Sequence, residues 1–324
     1  MRLTLRAPSA ADIAAARQRI AGAAIRTPLV RLDVDLPFEL WLKLENLQPI
    51  GSFKIRGALN AIRSLPRERL SAGVYTASAG NMAQGLAWGA RELGVPCTVI
   101  APDRAPKTKI DAIERLGART MKVPFERWWQ VLVDHHYDGI DGAFIHPVAN
   151  QDVIAGNATV GIEILEDLNA TPDVILVPYG GGGQAVGVAA AMRSRGLATR
   201  VYACEVETAA PFRASLAAGK AVTIEHSPSW VDGISGRSVL DEMWPLAGTL
   251  LAGSQVVTLN QIAAAVRLLV GRARVVAEGA GAAPVAVALA HGASVVPAGG
   301  RCVAIVSGGN IDPDVLRRIL AEEL

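Results

Sequence analysis

Cysteine is scarce: Cys97, Cys204 and Cys302 are the only three in 324 residues, odd in number and far apart. They form no CxxC pair and no metal-ligating cluster, which argues against a disulfide framework and fits a reducing compartment. Aromatic residues make up 5% of the chain and charged residues 19%. There is no block of like charge and no low-complexity tail, and the formal net charge is +2. Nucleic acid and anionic membranes therefore have no electrostatic case as partners. No run of about 18 apolar residues is free of charges, glycines and polar breaks. The opening MRLTLRAPSAADIAAARQRI has no apolar core of signal-peptide length. A soluble, cytoplasmic protein is expected.

What the chain has is material to bury: 51% of it is hydrophobic, with much alanine and glycine. Its length favours two domains over one small core. Apolar periodicity alternates between strand and helix. Helical spacing covers 9–21, 53–65, 82–93, 107–116, 128–138, 160–168, 184–195, 261–269 and 280–291. Strands are expected at 40–44, within GVYTASAG (73–80), and at 96–101, 119–123, 143–145, 174–177, 200–204 and 302–306. Such alternation predicts parallel sheets covered by helices. The segment 73–142 reads as a compact βαβαβα block, a small domain inserted into a larger one built from 1–72 and 143–324.

Two short stretches carry chemistry. Tyr179 to Gln184 reads YGGGGQ, just after the apolar strand VILV and before a helix. Four glycines there let backbone approach a phosphate without obstruction, with the amides of a helix start aimed at it. The spacing is neither GxGxxG nor GxxxxGK[ST], so neither a dinucleotide fold nor an NTPase loop is supported. Upstream, PIGSFKIRG sets Lys54 in a tight glycine-flanked loop. A phosphate cradle with an isolated lysine points to pyridoxal phosphate, whose aldehyde condenses with a lysine amine.

Five segments then appear in a familiar order: PIGSFKIRGALNAI, ASAGNMAQGLA, VPYGGGGQAVG, VVAEGAGAAPVAVAL and VSGGNID. Over nearly its whole length the chain resembles the fold-type II pyridoxal-phosphate enzymes, closest to the threonine/serine dehydratase and serine racemase branch. The resemblance implies a tryptophan synthase β-like α/β fold of two parallel-sheet domains, assembled as a homodimer. It makes Lys54 the Schiff-base lysine and the proton shuttle at Cα. Phe53 packs near the ring, Asn81 donates to the cofactor's 3-oxygen, and Gly180, Gly181, Gly182 and Gly183 cradle the phosphate. Gly233, in SWVDGISG, lies beside the ring, with Trp230 as a further lining residue. Ser307 faces the pyridine nitrogen, and a hydroxyl there does not hold that nitrogen protonated. The weaker electron sink favours β-elimination over transamination. Ser78, Ala79, Gly80 and Asn81 form a helix-start loop whose amides suit a substrate carboxylate.

Departures from the family pattern bear on the substrate. Ala79 stands where serine racemases carry a serine that protonates the opposite face, and alanine transfers no proton. Met82 replaces the usual histidine, removing a polar partner for a second carboxylate such as that of hydroxyaspartate. Met82 with Trp128 and Trp129 hints at a bulky substrate side chain such as that of phenylserine; packing is the competing explanation. Adjacent tryptophans of one helix cannot both face one core, so one is expected at a domain cleft or subunit interface. Relatives that bind a divalent cation use an acidic residue that falls here at Glu205, with the backbone of Ala209, but the third, acidic position is Pro211. A Mg²⁺ or Ca²⁺ site is thus in doubt, while K⁺ held mostly by carbonyls remains open. Glu278 belongs near that site or the cofactor. No regulatory domain is expected after SGGNID.

The reading is a lyase that converts a small β-hydroxy-α-amino acid (threonine, serine or a bulkier one such as phenylserine) to a 2-oxo acid and ammonia by α,β-elimination. The rivals are an amino-acid racemase, a β-replacement synthase, and an idle cofactor-binding or regulatory protein.

Overall fold

A computed structural model describes residues 4–324 and contains two sheets. The strands are β1 (Leu29–Leu32), β2 (Glu39–Lys43), β3 (Val74–Ala77), β4 (Cys97–Pro102), β5 (Arg119–Val123), β6 (Ala143–Phe144), β7 (Val174–Pro178), β8 (Arg200–Val206), β9 (Gly253–Val257) and β10 (Arg301–Ile305). The larger sheet has the order β1-β2-β10-β7-β8-β9 and the smaller β5-β4-β3-β6. Every neighbouring pair is parallel except β1 with β2. Because β10 lies between β2 and β7, both ends of the chain build the larger sheet. The smaller sheet runs to Phe144. The boundary expected at 142 therefore falls just before β6, which pairs with β3.

Burial follows strand alternation. In β7 all five residues of VILVP are buried, as in a central strand covered on both faces. Val174 and Leu176 join the apolar cluster that includes Leu42 and Ala283, while Ile175 and Val177 join the opposite one with Ile154 and Val186. Edge strand β1 is the least buried of the larger sheet's apolar strands, consistent with its short antiparallel pairing.

Local signals set the helix starts. Ser9 caps Ala10–Ile20 in a reciprocal capping box with Asp12. The helix expected from 160 begins at Gln151, because Asn150 Oδ1 accepts from Asp152 N and Val153 N. Gly156, which reads as a breaker, lies inside that helix where a Cβ would collide with the Arg56 carbonyl. Close helix packing, not a turn, demands that glycine.

The topology gathers loops at one end. Gly180 to Gly183 follow β7, Ser307 follows β10, and Ser78 to Gly80 follow β3. Ligand crevices of open parallel sheets lie outside these carboxyl ends.

Candidate active site

Lys54 opens the helix Lys54–Ser64. Its loop is clamped to the loop after β10: Phe53 N donates to Ser307 O at 3.0 Å and Gly309 N to Gly51 O at 2.9 Å. Lys54 Nζ donates to the Pro147 carbonyl at 3.0 Å and lies 5.3 Å from the Phe53 ring centroid. Burial pushes the Lys54 pKa down to about 8, and the Glu278 carboxylate pulls the other way. A lysine in that state offers a substantial fraction of neutral, nucleophilic amine near neutral pH.

The glycine loop fits its neighbours closely. A Cβ at Gly180 would lie 2.9 Å from the Gly233 carbonyl, and one at Gly181 only 2.5 Å from Val148 Cγ2. Gly182 adopts φ +87°, a left-handed conformation that favours glycine. Gly183 then starts the helix Gly183–Ser194. Around this loop lie buried polar atoms without a protein partner: Tyr179 Oη, both side-chain atoms of Gln184 and both of Asn157. Asn157 Nδ2 comes within 3.6 Å of a Cβ built on Gly183. Unpaired buried donors and acceptors around open amides at a helix start are what a phosphate-bearing ligand would satisfy. The residues present therefore fit pyridoxal phosphate.

Asn81 begins the helix Asn81–Glu92 beyond the Ser78–Gly80 loop. Its Nδ2 donates to Glu278 Oε1 at 2.8 Å, and its Oδ1 accepts from Asn310 Nδ2 at 2.8 Å. Burial and the charge of Asp232 push Glu278 up to about 8, against the Asn81 hydrogen bond. Gly233 lies between two parts of the site, its carbonyl facing Gly180 and its Cα side facing Ala280 and Glu278. Lys54, Asn81, Gly180, Gly233 and Ser307 thus converge, with Ser307 2% exposed.

Other expected residues stand elsewhere. Met82 is 2% exposed and packs in a core shared with Leu86 of its own helix and with Ala58 and Val153 of the larger domain. Trp129 lines a cavity of about 1140 Å³ with Tyr75, Phe144, Val239 and Glu242. Both Trp128 and Trp129 pack against the cluster around Tyr75 and Val131. Glu205 accepts from Phe212 N and Arg213 N, each at 2.8 Å, and from Ser254 Oγ. These donors start the helix Pro211–Ala218, which gives Glu205 a capping role. Ala209 is wholly buried beside it.

Sequence reasoning missed His146, Pro147, Val148 and Asn310 at the site. Their contributions run through carbonyls, packing and tertiary placement, which leave no periodic mark. His146 also lies with His135 and Glu242, their ligand-type atoms within 4.8 Å of one another. His146 Nδ1 already accepts from two backbone amides, so Nε2 carries the proton of the neutral ring. His135 Nε2 is paired with Glu242 at 2.9 Å. His135 and Glu242 are thus paired with each other and His146 with its own turn.

Comparison with known proteins agrees with this geometry. Residues 20–308 match the family model described as "Pyridoxal-phosphate dependent enzyme". An L-threonine ammonia-lyase of Thermotoga maritima is 40% identical over 292 residues, covering 88% of this chain and 71% of that protein. A maize serine racemase structure superposes with a TM-score of 0.90 at 31% identity, covering 98% of each chain. A serine racemase structure from Dictyostelium discoideum gives a TM-score of 0.84 at 31% identity, over 96% of this chain and 100% of that one.

Proposed function

The chain belongs to the pyridoxal-phosphate dependent enzymes, and on that premise we propose that it is a dehydratase acting on threonine or serine. It is a hydroxy-amino-acid ammonia-lyase, releasing a 2-oxo acid and ammonia. The observation that carries this is the half-sequestered Lys54 amine set against a glycine cradle with unpaired polar groups around it. The identity to named threonine ammonia-lyases supports the reaction class.

When bound, pyridoxal phosphate supplies an electron sink that acidifies the Cα–H of an amino acid. Amides of the Gly180–Gly183 loop hold the phosphate, and the Asn157 and Gln184 carboxamides lie ready to complete that shell. Amides of Ser78 to Asn81 hold the substrate carboxylate. Lys54 Nζ, as a neutral amine, would take the Cα proton and hold it on one face. Asn81 and Glu278 tie the two lobes together over the site. Ala79 offers no hydroxyl on the opposite face, which supports one-sided elimination over racemisation.

Met82's burial supports a small substrate over phenylserine, because its side chain is taken up in core packing with Ala58, Leu86 and Val153. Soluble, cytoplasmic homodimers remain part of the reading. The test is 2-oxo acid formation from L-threonine, L-serine, L-threo-3-hydroxyaspartate and L-threo-phenylserine, with D-amino acid formation followed in parallel. Turnover of threonine or serine is expected. Preference for phenylserine would return Trp129 and its cavity to the substrate pocket. D-serine formation without oxo acid would replace the lyase with a racemase.

A further inference from the structure

We propose that His146 is a positioning residue, whose Nδ1 holds the Pro147–Val148 turn on which both Lys54 and the glycine loop rest. This builds on reading Lys54 as the cofactor-bearing lysine. His146 follows β6, and its side chain is 2% exposed. Its Nδ1 accepts from Val148 N at 3.0 Å and from Ala149 N at 2.7 Å. Two amides converging on one ring nitrogen close the turn.

What that turn presents is specific. Pro147 has no N–H to donate, and its carbonyl receives Lys54 Nζ at 3.0 Å. Val148 forms a wall of the cradle: a Cβ on Gly181 would lie 2.5 Å from its Cγ2, and one on Gly183 would lie 3.5 Å from its Cγ1. One imidazole therefore fixes the lysine's acceptor and the surface behind the phosphate loop together. Neither Lys54 nor the glycines touch His146 through a hydrogen bond of their own, so it acts through the turn.

The arrangement demands one tautomer. Both amides need the Nδ1 lone pair, so the proton stays on Nε2, which has no side-chain partner among the described residues and faces the Leu132 backbone. Burial, with the neighbouring His135 and Lys54 adding to it and the Leu132 backbone opposing, pushes the ring's pKa down to about 3. The acceptor is therefore available throughout the neutral range. Nearby, Asn150 makes the same pattern with its Oδ1, accepting from the amides two and three residues ahead at 2.9 and 3.0 Å. Asparagine is thus the natural replacement: its Oδ1 stands at the same bond separation from Cα as histidine Nδ1.

The experiment compares His146→Leu with His146→Asn, reading cofactor affinity of the apo protein and kcat/KM of the loaded enzyme. The leucine variant is expected to bind cofactor about tenfold more weakly and to lose on the order of 10²-fold in kcat/KM, the scale of an ångström-level misplacement. The asparagine variant is expected to recover both to within about threefold, since the turn's acceptor is restored. A leucine variant equal to wild type, or an asparagine variant impaired as badly while folded by circular dichroism, overturns the proposal. Should the leucine variant not fold, ¹⁵N-histidine spectra of the wild-type holoenzyme decide. His146 must show the Nε2–H tautomer unchanged from about pH 5 to about pH 9, where an ordinary histidine titrates; an Nδ1–H tautomer sinks it. A wild-type enzyme inactive on every hydroxy amino acid would remove the functional reading, yet leave the tautomer and cofactor-affinity results standing.

Discussion

Asn81 Nδ2 donates to Glu278 Oε1 at 2.8 Å, joining residues 197 positions apart across the two lobes. The other end of the Asn81 amide is also engaged, with Asn310 Nδ2 donating to Oδ1. The amide is therefore fixed in one orientation, and Nδ2 keeps a second N–H to offer the cofactor. Glu278 also sets the electrostatics of Lys54, because its carboxylate opposes the desolvation that lowers the lysine.

A pH dependence follows. The neutral amine is the nucleophile, and burial places Lys54 at about 8. The rate of cofactor capture by apo protein should rise about tenfold per pH unit below pH 8 and level off above it. Glu278, itself pushed up to about 8, carries only part of its charge near the lysine's midpoint; Glu278→Gln removes that part, so the midpoint moves modestly to lower pH. Stopped-flow absorbance across the pH range checks both. A midpoint near the ordinary lysine value, or one that rises in Glu278→Gln, contradicts the assignment.

Gly180→Ala tests the cradle. Its Cβ would meet the Gly233 carbonyl at 2.9 Å, a backbone atom that cannot rotate away. Relief must move either the phosphate loop or the 233 segment, which also faces Glu278. The variant should lose about 1–3 kcal/mol of stability by overpacking. Cofactor affinity should fall with it. Denaturant titration of the apo protein, paired with spectrophotometric cofactor titration, measures the two. Unchanged affinity would place the phosphate away from Gly180.

Met82→His distinguishes packing from substrate contact. At 2% exposure among Ala58, Leu86 and Val153, an imidazole would be buried without a partner. A loss of about 1–3 kcal/mol is expected, with no gain in hydroxyaspartate turnover. A stable variant that acquires hydroxyaspartate activity would show the position facing the substrate.

Fold and site were legible in the sequence to different depths. Arg119–Val123 was readable as a strand to the residue, and VILV ahead of four glycines located β7 and the tight loop after it. These are places where local pattern and tertiary role coincide. The first half of Gln151–Leu168 was not readable, because Gly156 exists for contact with Arg56's backbone and mimics a breaker. The short helices Pro211–Ala218 and Trp244–Leu250 carry a proline in their first two positions and too few turns to show a period. At the site, Lys54, Asn81 and Ser307 stood out by motif. His146 did not, since one histidine in a loop has no signature until its turn is seen.

The fold also carries a charge network that a hydropathy reading passes over, and it supports the helix bearing Lys54. Arg56, 1% exposed, pairs with Glu45 at 2.7 Å and with Glu163 at 2.6 Å. The fully buried Lys43 reaches Glu163 at 2.8 Å. Burial pushes the Glu45 carboxyl up, but the Arg56 charge and hydrogen bonds outweigh it and hold it below its ordinary value. Arg56→Met takes the main partner from the buried Glu45, leaving it the Thr27 and Gln48 hydrogen bonds and the Lys43 charge, and should cost about 3–5 kcal/mol at neutral pH. The sign with pH is set by proton counts. In wild type, Glu45's contribution is present above the unfolded glutamate value of about 4.3 and is lost as pH falls through the lower folded value. In the variant burial is opposed only by the Thr27 hydrogen bond and the Lys43 charge; where burial prevails the folded value is raised, and stability instead falls as pH climbs past about 4.3. The gap between the two proteins should therefore narrow as pH drops from 7 toward 4. Urea unfolding of both apo proteins at several pH values measures it, and a gap that stays constant or widens on acidification would remove Glu45 from the network's energetics.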